Sequence, residues 1–281
     1  MTGTARFAMK VFSSSLNDHL LVVGNGRVAR HLCEYFKRMR MSFETWNRRE
    51  NSVGDLRDSL SRAGRVLVLL SDTVLEDFFH QYHGLAPEAM WIHCSGALEI
   101  SGMESFHPLM TFGPQLYTLD QYVLIPFVTT SHFTLAQALP GLSNPCVRIP
   151  VSHKARYHAL CVLSGNFTTI LWRKLIEEFR DWNLSPGLAK PFAQQVVANV
   201  FSFPDQALTG PLVRRDLETQ AKNLAALDGD PFADIYRAFQ NLFFQVGAFG
   251  TSAGPKSAPP QSHPAMVPGK KGGEKGGKKS H

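Results

Sequence analysis

Short apolar runs separated by amphipathic stretches mark the first 150 residues. The runs HLLVVG (19–24), SFETW (42–46), RVLVLLS (65–71), MWIHCS (90–95), ESFHP (104–108), YVLIPFV (122–128) and CVRIPV (146–151) read as strands. RVARHLCEYFKRM (27–39) and TVLEDFFHQYHG (73–84) carry helical spacing. Strands alternating with helices predict a mostly parallel sheet covered on both faces. No internal repeat of solenoid type is present.

The pattern changes near residue 152. From Ser152 to Trp182 apolar residues recur at helical spacing, among them Leu160, Leu163, Phe167, Ile170, Leu171, Leu175 and Phe179, until Pro186 ends the run. Further helices are predicted at 188–203, 211–227 and 231–246. The expected architecture is an α/β domain over 18–151 followed by an all-α domain over 152–250, with a boundary near Pro150. Residues 1–17 read as a leader. Residues 251–281 are rich in Gly, Pro, Ser and Lys, a composition that buries too little apolar surface to fold, so they read as a disordered tail.

Charge changes this picture little. The net charge is +6, but residues 251–281 hold six lysines and one glutamate, a net +5, and the remaining 250 residues carry the difference, +1. A nearly neutral body does not predict nucleic-acid binding; the tail alone would attract polyanions weakly. No apolar run reaches membrane-spanning length, and no signal-peptide pattern opens the chain, so the expectation is a cytoplasmic protein. The four cysteines, Cys33, Cys94, Cys146 and Cys161, form no CxxC pair, so neither zinc nor a disulfide framework is expected; they read as buried thiols. No metal site is predicted.

The stretch LLVVGNGRVARHL carries the first candidate chemistry. It reads Gly24-x-Gly26-x-x-Ala29 between a strand and a helix, the context in which such a turn binds a dinucleotide in a Rossmann-like sheet. Gly24 permits a tight turn, Gly26 lets the backbone approach a pyrophosphate, and Ala29 lets helix and strand pack closely. Gly24, Asn25, Gly26, Arg27 and Val28 would then bring the free amides of the helix start to the phosphates. The alternative is an ordinary strand–turn–helix. The second strand ends TWNRRE, placing Asn47, Arg48 and Arg49 where NAD-binding domains carry a carboxylate. Two guanidiniums suit a 2′-phosphate, so the expected cofactor is NADP(H); a solvated basic loop is the plainer reading. Ser71 and Asp72, where the run 65–71 ends, are placed at the cofactor edge, although Asp72 could equally cap the next helix.

Six motifs then line up in order: GNGRVA (24–29), WNRR (46–49), HCSGAL (93–98), SFHPLMTF (105–112), HKARYHALCVLSGNF (153–167) and LTGPLVRRD (208–216). Over residues 19–246 the chain resembles a group of Rossmann-like oxidoreductases with a C-terminal domain of unknown function 2520. That group is similar to the 6-phosphogluconate dehydrogenase-like superfamily, with its β-hydroxyacid dehydrogenases, pyrroline-carboxylate reductases and prephenate dehydrogenases. The resemblance implies a nicotinamide domain, a helical domain that forms a homodimer, and a small-molecule substrate between them. One departure is Arg214-Arg215-Asp216 where the group carries Arg-Gly-Asp; arginine there removes easy access to positive φ.

The resemblance also places Lys154 and His158. The β-hydroxyacid relatives carry a catalytic lysine and, four residues on, an asparagine; here His158 replaces the asparagine. Spacing i, i+4 sets both on one helix face, where a lysine ammonium or a histidine could protonate a substrate oxygen. A solvated lysine and an interface histidine are the plainer assignments. His107, in SFHPLMTF, resembles a His-Pro-Met stretch of prephenate dehydrogenases and could hydrogen-bond a substrate carboxylate or carbonyl; a buried, backbone-satisfied histidine is the alternative. Ser95 and Gly96 could hold a substrate carboxylate or the nicotinamide amide, whereas His93 reads as structural and Cys94 as unactivated. Asn166 and the loop 209–216 are expected near the cleft or the dimer interface. Arg214 or Arg215 would hold an acidic substrate group or pair with Asp216 or Glu218. The chemistry expected is hydride transfer to or from a small C=O or C=N substrate, with carboxylate-bearing substrates compatible. A protein that binds NADP(H) as a sensor without turnover is the alternative.

Overall fold

The structure is a computed structural model that describes residues 19–246. The leader 1–17 and the tail 251–281 lie outside the described residues. The chain divides into two compact units at Trp182/Asn183.

The first unit is built on a seven-stranded sheet of order β2-β1-β3-β4-β5-β6-β7. The strands are β1 (Leu20–Val23), β2 (Phe43–Trp46), β3 (Arg65–Val68), β4 (Met90–His93), β5 (Glu104–Pro108), β6 (Phe127–Thr129) and β7 (Cys146–Arg148). Five run parallel, β6 is antiparallel to β5, and β7 is parallel to β6. The α/β class is as the sequence pattern indicates.

Burial on both faces explains the consecutive apolar positions. Leu20 and Val22 pack with Leu32, Tyr35 and Phe36 of helix α1 (Arg27–Arg38). Leu21 and Val23 pack on the other face with Leu56 and Leu60 of α2 (Val53–Arg62) and Leu75 and Phe79 of α3 (Asp72–Tyr82). All four β1 side chains are buried, as in a central parallel strand.

The run 122–128 is not a strand. Thr118 and Gln121 form a capping box that starts helix α4 (Leu119–Val123), and only Phe127 and Val128 of the run enter β6. The run is apolar because Tyr122, Ile125 and Phe127 are all buried in the core beside α1, which a strand is not needed to achieve. Helix α2 escapes the periodicity because Leu56 and Leu60 are its only buried apolar side chains; its capping box, Ser52 with Asp55, is the clearer start signal. A short α5 (Leu135–Ala138) is also additional.

The register aligns the carboxyl ends of four strands. Val23 lies opposite Trp46 and Val68, and Val68 opposite His93. Gly24, Asn47, Leu69 and Cys94 therefore follow their strands along one edge. The chain leaves β1 for β2 on one side and β3 on the other, so this edge holds the topological switch point where open α/β sheets bind ligands.

After β7 comes α6 (Lys154–Cys161), a π-helical stretch (Val162–Phe167) and α7 (Thr168–Asp181). This long helix belongs to the first unit, so the compact division falls about thirty residues beyond Pro150. Lys154 is buried and bonded to Leu98, between β4 and β5, and to Ser105 of β5, which ties the helix start to the sheet. The second unit holds α8 (Ala189–Ser202), α9 (Leu217–Ala226) and α10 (Phe232–Val246). Helix α9 starts at 217 rather than 211 because Asp216 caps it, accepting from the Thr219 amide at 3.0 Å. Among the described residues no helix is long and apolar enough to cross a membrane.

Candidate functional site

The glycine turn separates two demands. Gly24 has φ +118°, and a Cβ there would stand 2.5 Å from the Leu69 carbonyl oxygen. Its amide donates to the Trp46 carbonyl at 2.8 Å, and Leu69 donates to Val23 at 2.8 Å, which locks β1 between its neighbours. Gly26 differs: its backbone is extended, and a Cβ there would meet nothing within 4 Å. It is the N-cap of α1, no side chain caps it, and the first turn holds no acidic residue. Asn25, Gly26 and Arg27 are exposed, Val28 is half-buried, and Ala29 is buried against the sheet. The first amides and the positive end of α1 thus face open space, an arrangement suited to an anion.

At the end of β2, Asn47 is buried rather than displayed. Its Oδ1 accepts from Asn25 Nδ2 at 3.3 Å and from the Arg49 amide at 3.2 Å. Its Nδ2 donates to Glu50 Oε2 at 2.9 Å. Asn47 therefore pins the 47–51 turn to the glycine loop, a correction to its expected place at the tip. Arg48 and Arg49 are exposed and form no ion pair among the described residues. A hollow of about 280 Å³ flanks the turn, lined by Asn25, Arg30, Lys37, Thr45, Asn47 and Glu50 among others. The sequence reading did not single out Glu50; its position three residues after Asn47 was the available signal.

A second cluster lies at the start of α6. Ser95 and Gly96 follow β4, and both are buried. Ser95 Oγ accepts from the Ala97 and Leu98 amides at 3.3 and 3.0 Å, so it shapes the turn. A Cβ on Gly96 would stand 2.3 Å from His158 Cδ2 and 3.0 Å from both His107 Nε2 and His158 Nε2. Glycine is required because two imidazoles press on it. The rings of His107 and His158 are 5.8 Å apart and nearly perpendicular. Tyr157 shares a hydrogen bond of 2.8 Å with His107 Nδ1; the sequence reading passed over it.

Burial, reinforced by the charges of His158 and Lys154 against Asp72, pushes His107 down to about 4. Burial, with Cys161 beside it, pushes the Tyr157 phenol above its ordinary range. Both are neutral near pH 7 and able to pass a proton.

Lys154 sits differently from its expected role. It is 3% exposed, and its ammonium donates to Leu98 O, to Ser105 Oγ at 2.5 Å and to Glu99 Oε1 at 2.8 Å. Glu99 also accepts from Thr130 Oγ1 at 2.7 Å. Burial lowers the Lys154 pKa, and the Glu99 carboxylate opposes that shift. All three ammonium hydrogens are engaged.

Other sequence-selected residues resolve individually. Ser71 is the N-cap of α3 and Asp72 its first residue; Asp72 makes no capping hydrogen bond, and its carboxylate acts through space on His107 and Lys154. His93 is fully buried; its Nδ1 accepts from the Ser95 amide at 3.2 Å and its Nε2 has no partner. Burial, with Lys154 adding, pushes it down to about 3. Burial pushes Cys94 up to about 12, far from a thiolate. The cysteines are less buried than expected: Cys146 is exposed and the others half-buried. Asn166 is exposed in the π-helical stretch. Arg214 and Arg215 form no ion pair among the described residues: Asp216 bonds Thr219, and Glu218 pairs with Lys222 at 2.7 Å. Arg215 adopts φ 54°, so the left-handed turn persists without glycine, at about 1 kcal/mol.

Residues 129–242 match the family described as "Domain of unknown function (DUF2520)". The DUF2520 match begins in β6 and ends in α10, so it includes α6 with Lys154, Tyr157 and His158. No curated protein matches the sequence. Among solved structures, a Bacteroides fragilis protein provisionally described as an NADP oxidoreductase is 21% identical, with a TM-score of 0.66, over 82% of this chain and all of that one. A Myxococcus stipitatus imine reductase variant in complex with NAD+ is 15% identical, with a TM-score of 0.54, over 82% of this chain and 94% of that one. A Plasmodium falciparum pyrroline carboxylate reductase with NADP bound is 9% identical, with a TM-score of 0.51, over 80% and 98%. At these identities the likeness is one of fold. It bears out the Rossmann-like fold that the resemblance implies, and the match over 129–242 bears out the DUF2520 likeness.

Proposed function

We propose that this protein is an NADP(H)-dependent oxidoreductase that moves a hydride to or from a small C=O or C=N substrate. The observation carrying this reading is a pairing along one unit's sheet: an uncapped helix start opening at Gly26, and a cluster of His107, Tyr157 and His158 around Gly96. The solved structures of the same fold that are named as reductases and hold NAD+ or NADP support it.

In this reading the amides of Arg27 and Val28 bind the pyrophosphate, and Arg48 and Arg49 bind the 2′-phosphate. When bound, the nicotinamide supplies or accepts the hydride. His158 holds the proton at the substrate oxygen or nitrogen, and the neutral Tyr157–His107 pair exchanges it onward. Lys154 is a positioning residue, because its three hydrogens tie the 98–105 segment to α6. Leu160, Leu163, Phe167 and Ile170 along the long helix are each about half exposed, and this apolar row supports a homodimer.

The test is calorimetric titration with NADPH and NADH of the unaltered protein and of Arg48→Ala/Arg49→Ala. Two charge-assisted contacts predict a loss of roughly ten- to a hundredfold for NADPH in the double variant, with NADH little changed. Binding of neither nucleotide to the unaltered protein refutes the proposal.

A further inference from the structure

The turn after β2 holds a carboxylate beside its two arginines. Glu50 Oε2 accepts from Asn47 Nδ2, and Asn47 in turn accepts from Asn25 of the glycine loop. The same Glu50 lines the 280 Å³ hollow with Asn25, Arg30, Lys37 and Thr45. Its bond to Asn47 fixes a negative charge there. We propose that Glu50 sets the margin by which this protein prefers NADPH over NADH. The inference rests on the cofactor reading above and adds to it the residue that limits discrimination.

The physical argument is a contest of charges. Arg48 and Arg49 are exposed and attract a 2′-phosphate dianion. A carboxylate in the same turn repels that dianion and accepts a hydrogen bond from a free ribose hydroxyl. Asn47 cannot take over the second task, because its Oδ1 already accepts two hydrogen bonds. Glu50 therefore weakens NADPH binding and aids NADH binding. Without it the turn would favour the phosphorylated cofactor more strongly.

Glu50→Gln isolates the charge. The amide oxygen of glutamine still accepts from Asn47 Nδ2, so the turn keeps its bond to the glycine loop. Calorimetry of both proteins with NADPH and NADH, at low and high salt, is the experiment. The expected result is a rise of roughly three- to tenfold in the NADPH-to-NADH affinity ratio, shrinking as salt screens the exposed charges. An unchanged ratio, or a parallel loss for both nucleotides, assigns Glu50 to holding the turn and overturns the inference while leaving the cofactor reading intact. If the unaltered protein binds neither nucleotide, the cofactor reading fails and this inference with it.

Discussion

Replacing each glycine of the turn by alanine separates fold from ligand binding. At Gly24 two costs add. The φ of +118° is a conformation alanine resists, at about 1–3 kcal/mol. The new Cβ would also lie 2.5 Å from the Leu69 oxygen and 3.1 Å from its carbonyl carbon. Leu69 cannot retreat without losing its bond to Val23, so overpacking adds about 1–3 kcal/mol. Gly24→Ala should lose about 2–6 kcal/mol of stability, which for a chain of this size lowers Tm by roughly 10 °C. At Gly26 neither cost arises, since φ is −66° and nothing lies within 4 Å. There the weaker N-cap preference of alanine is offset by the lower entropy of its unfolded chain, so stability should change by about 0.5 kcal/mol or less. The Cβ would, however, fill the space through which the α1 amides face a ligand, and NADPH affinity should fall at least about tenfold, the 1.4 kcal/mol of a lost close approach. Thermal unfolding and calorimetry on both variants provide the readout. A Gly26→Ala protein that binds NADPH undiminished would refute the argument, as would one destabilised as much as Gly24→Ala.

Two further outcomes follow from the second cluster. Lys154→Ala should cost about 2–4 kcal/mol by denaturant unfolding, because it removes three buried hydrogen bonds and leaves Glu99 with Thr130 alone; the Glu99 side chain is 34% exposed, which keeps the figure below that of a fully buried pair. NADPH affinity should be unchanged, and a loss no larger than that of Lys37→Ala on the exposed side of α1 would return Lys154 to the list of proton donors. Acid stability should report the histidines: His93 and His107 titrate near 3 and 4 in the fold against 6.5 when unfolded, so the unfolded chain binds more protons between those values. Stability should therefore fall as pH drops from about 6.5 towards 3, and His93→Phe should flatten that slope; an equal slope in the variant would show that His93 is not held neutral.

Local signals made the strands and the glycine turn legible. β1, β3 and β4 are buried on both faces, so their sequences are apolar apart from Arg65 at the start of β3 and His93 at the end of β4, and Gly, Ser or Cys follows each within a few residues. The same signal misleads at 122–128, where burial is as complete but the backbone is a helix end and a loop. Arg215 shows a different limit: a left-handed residue need not be glycine when flanking bonds hold it, here Arg215 to Leu212 at 3.1 Å and Asp216 to Pro211 at 2.9 Å. Partners distant in sequence were not legible. Lys154 finds Glu99 fifty-five residues back, and His107 finds Tyr157 fifty residues on. Spacing i, i+4 put Lys154 and His158 on one helix face but could not show that one points into a cage of acceptors and the other against a glycine.

That contrast supplies a criterion for assigning chemistry at this sheet edge. A donor whose hydrogens are all taken within the fold has no proton or contact to offer a substrate, whatever its identity in relatives. Lys154 meets that description, and Asn47 does so for its acceptor oxygen. The donors left unclaimed are of another kind: the first amides of α1, without a capping side chain, and the guanidiniums of Arg48 and Arg49, without a carboxylate partner among the described residues. Leaving a helix start uncapped forgoes about 1 kcal/mol, and leaving two adjacent arginines unpaired adds mutual repulsion. These costs fall together on the turn that β1 and β2 share, at the switch point of the sheet. An anionic ligand bound there would offset both, which is why the cofactor assignment is made on the unsatisfied donors rather than on the glycine spacing.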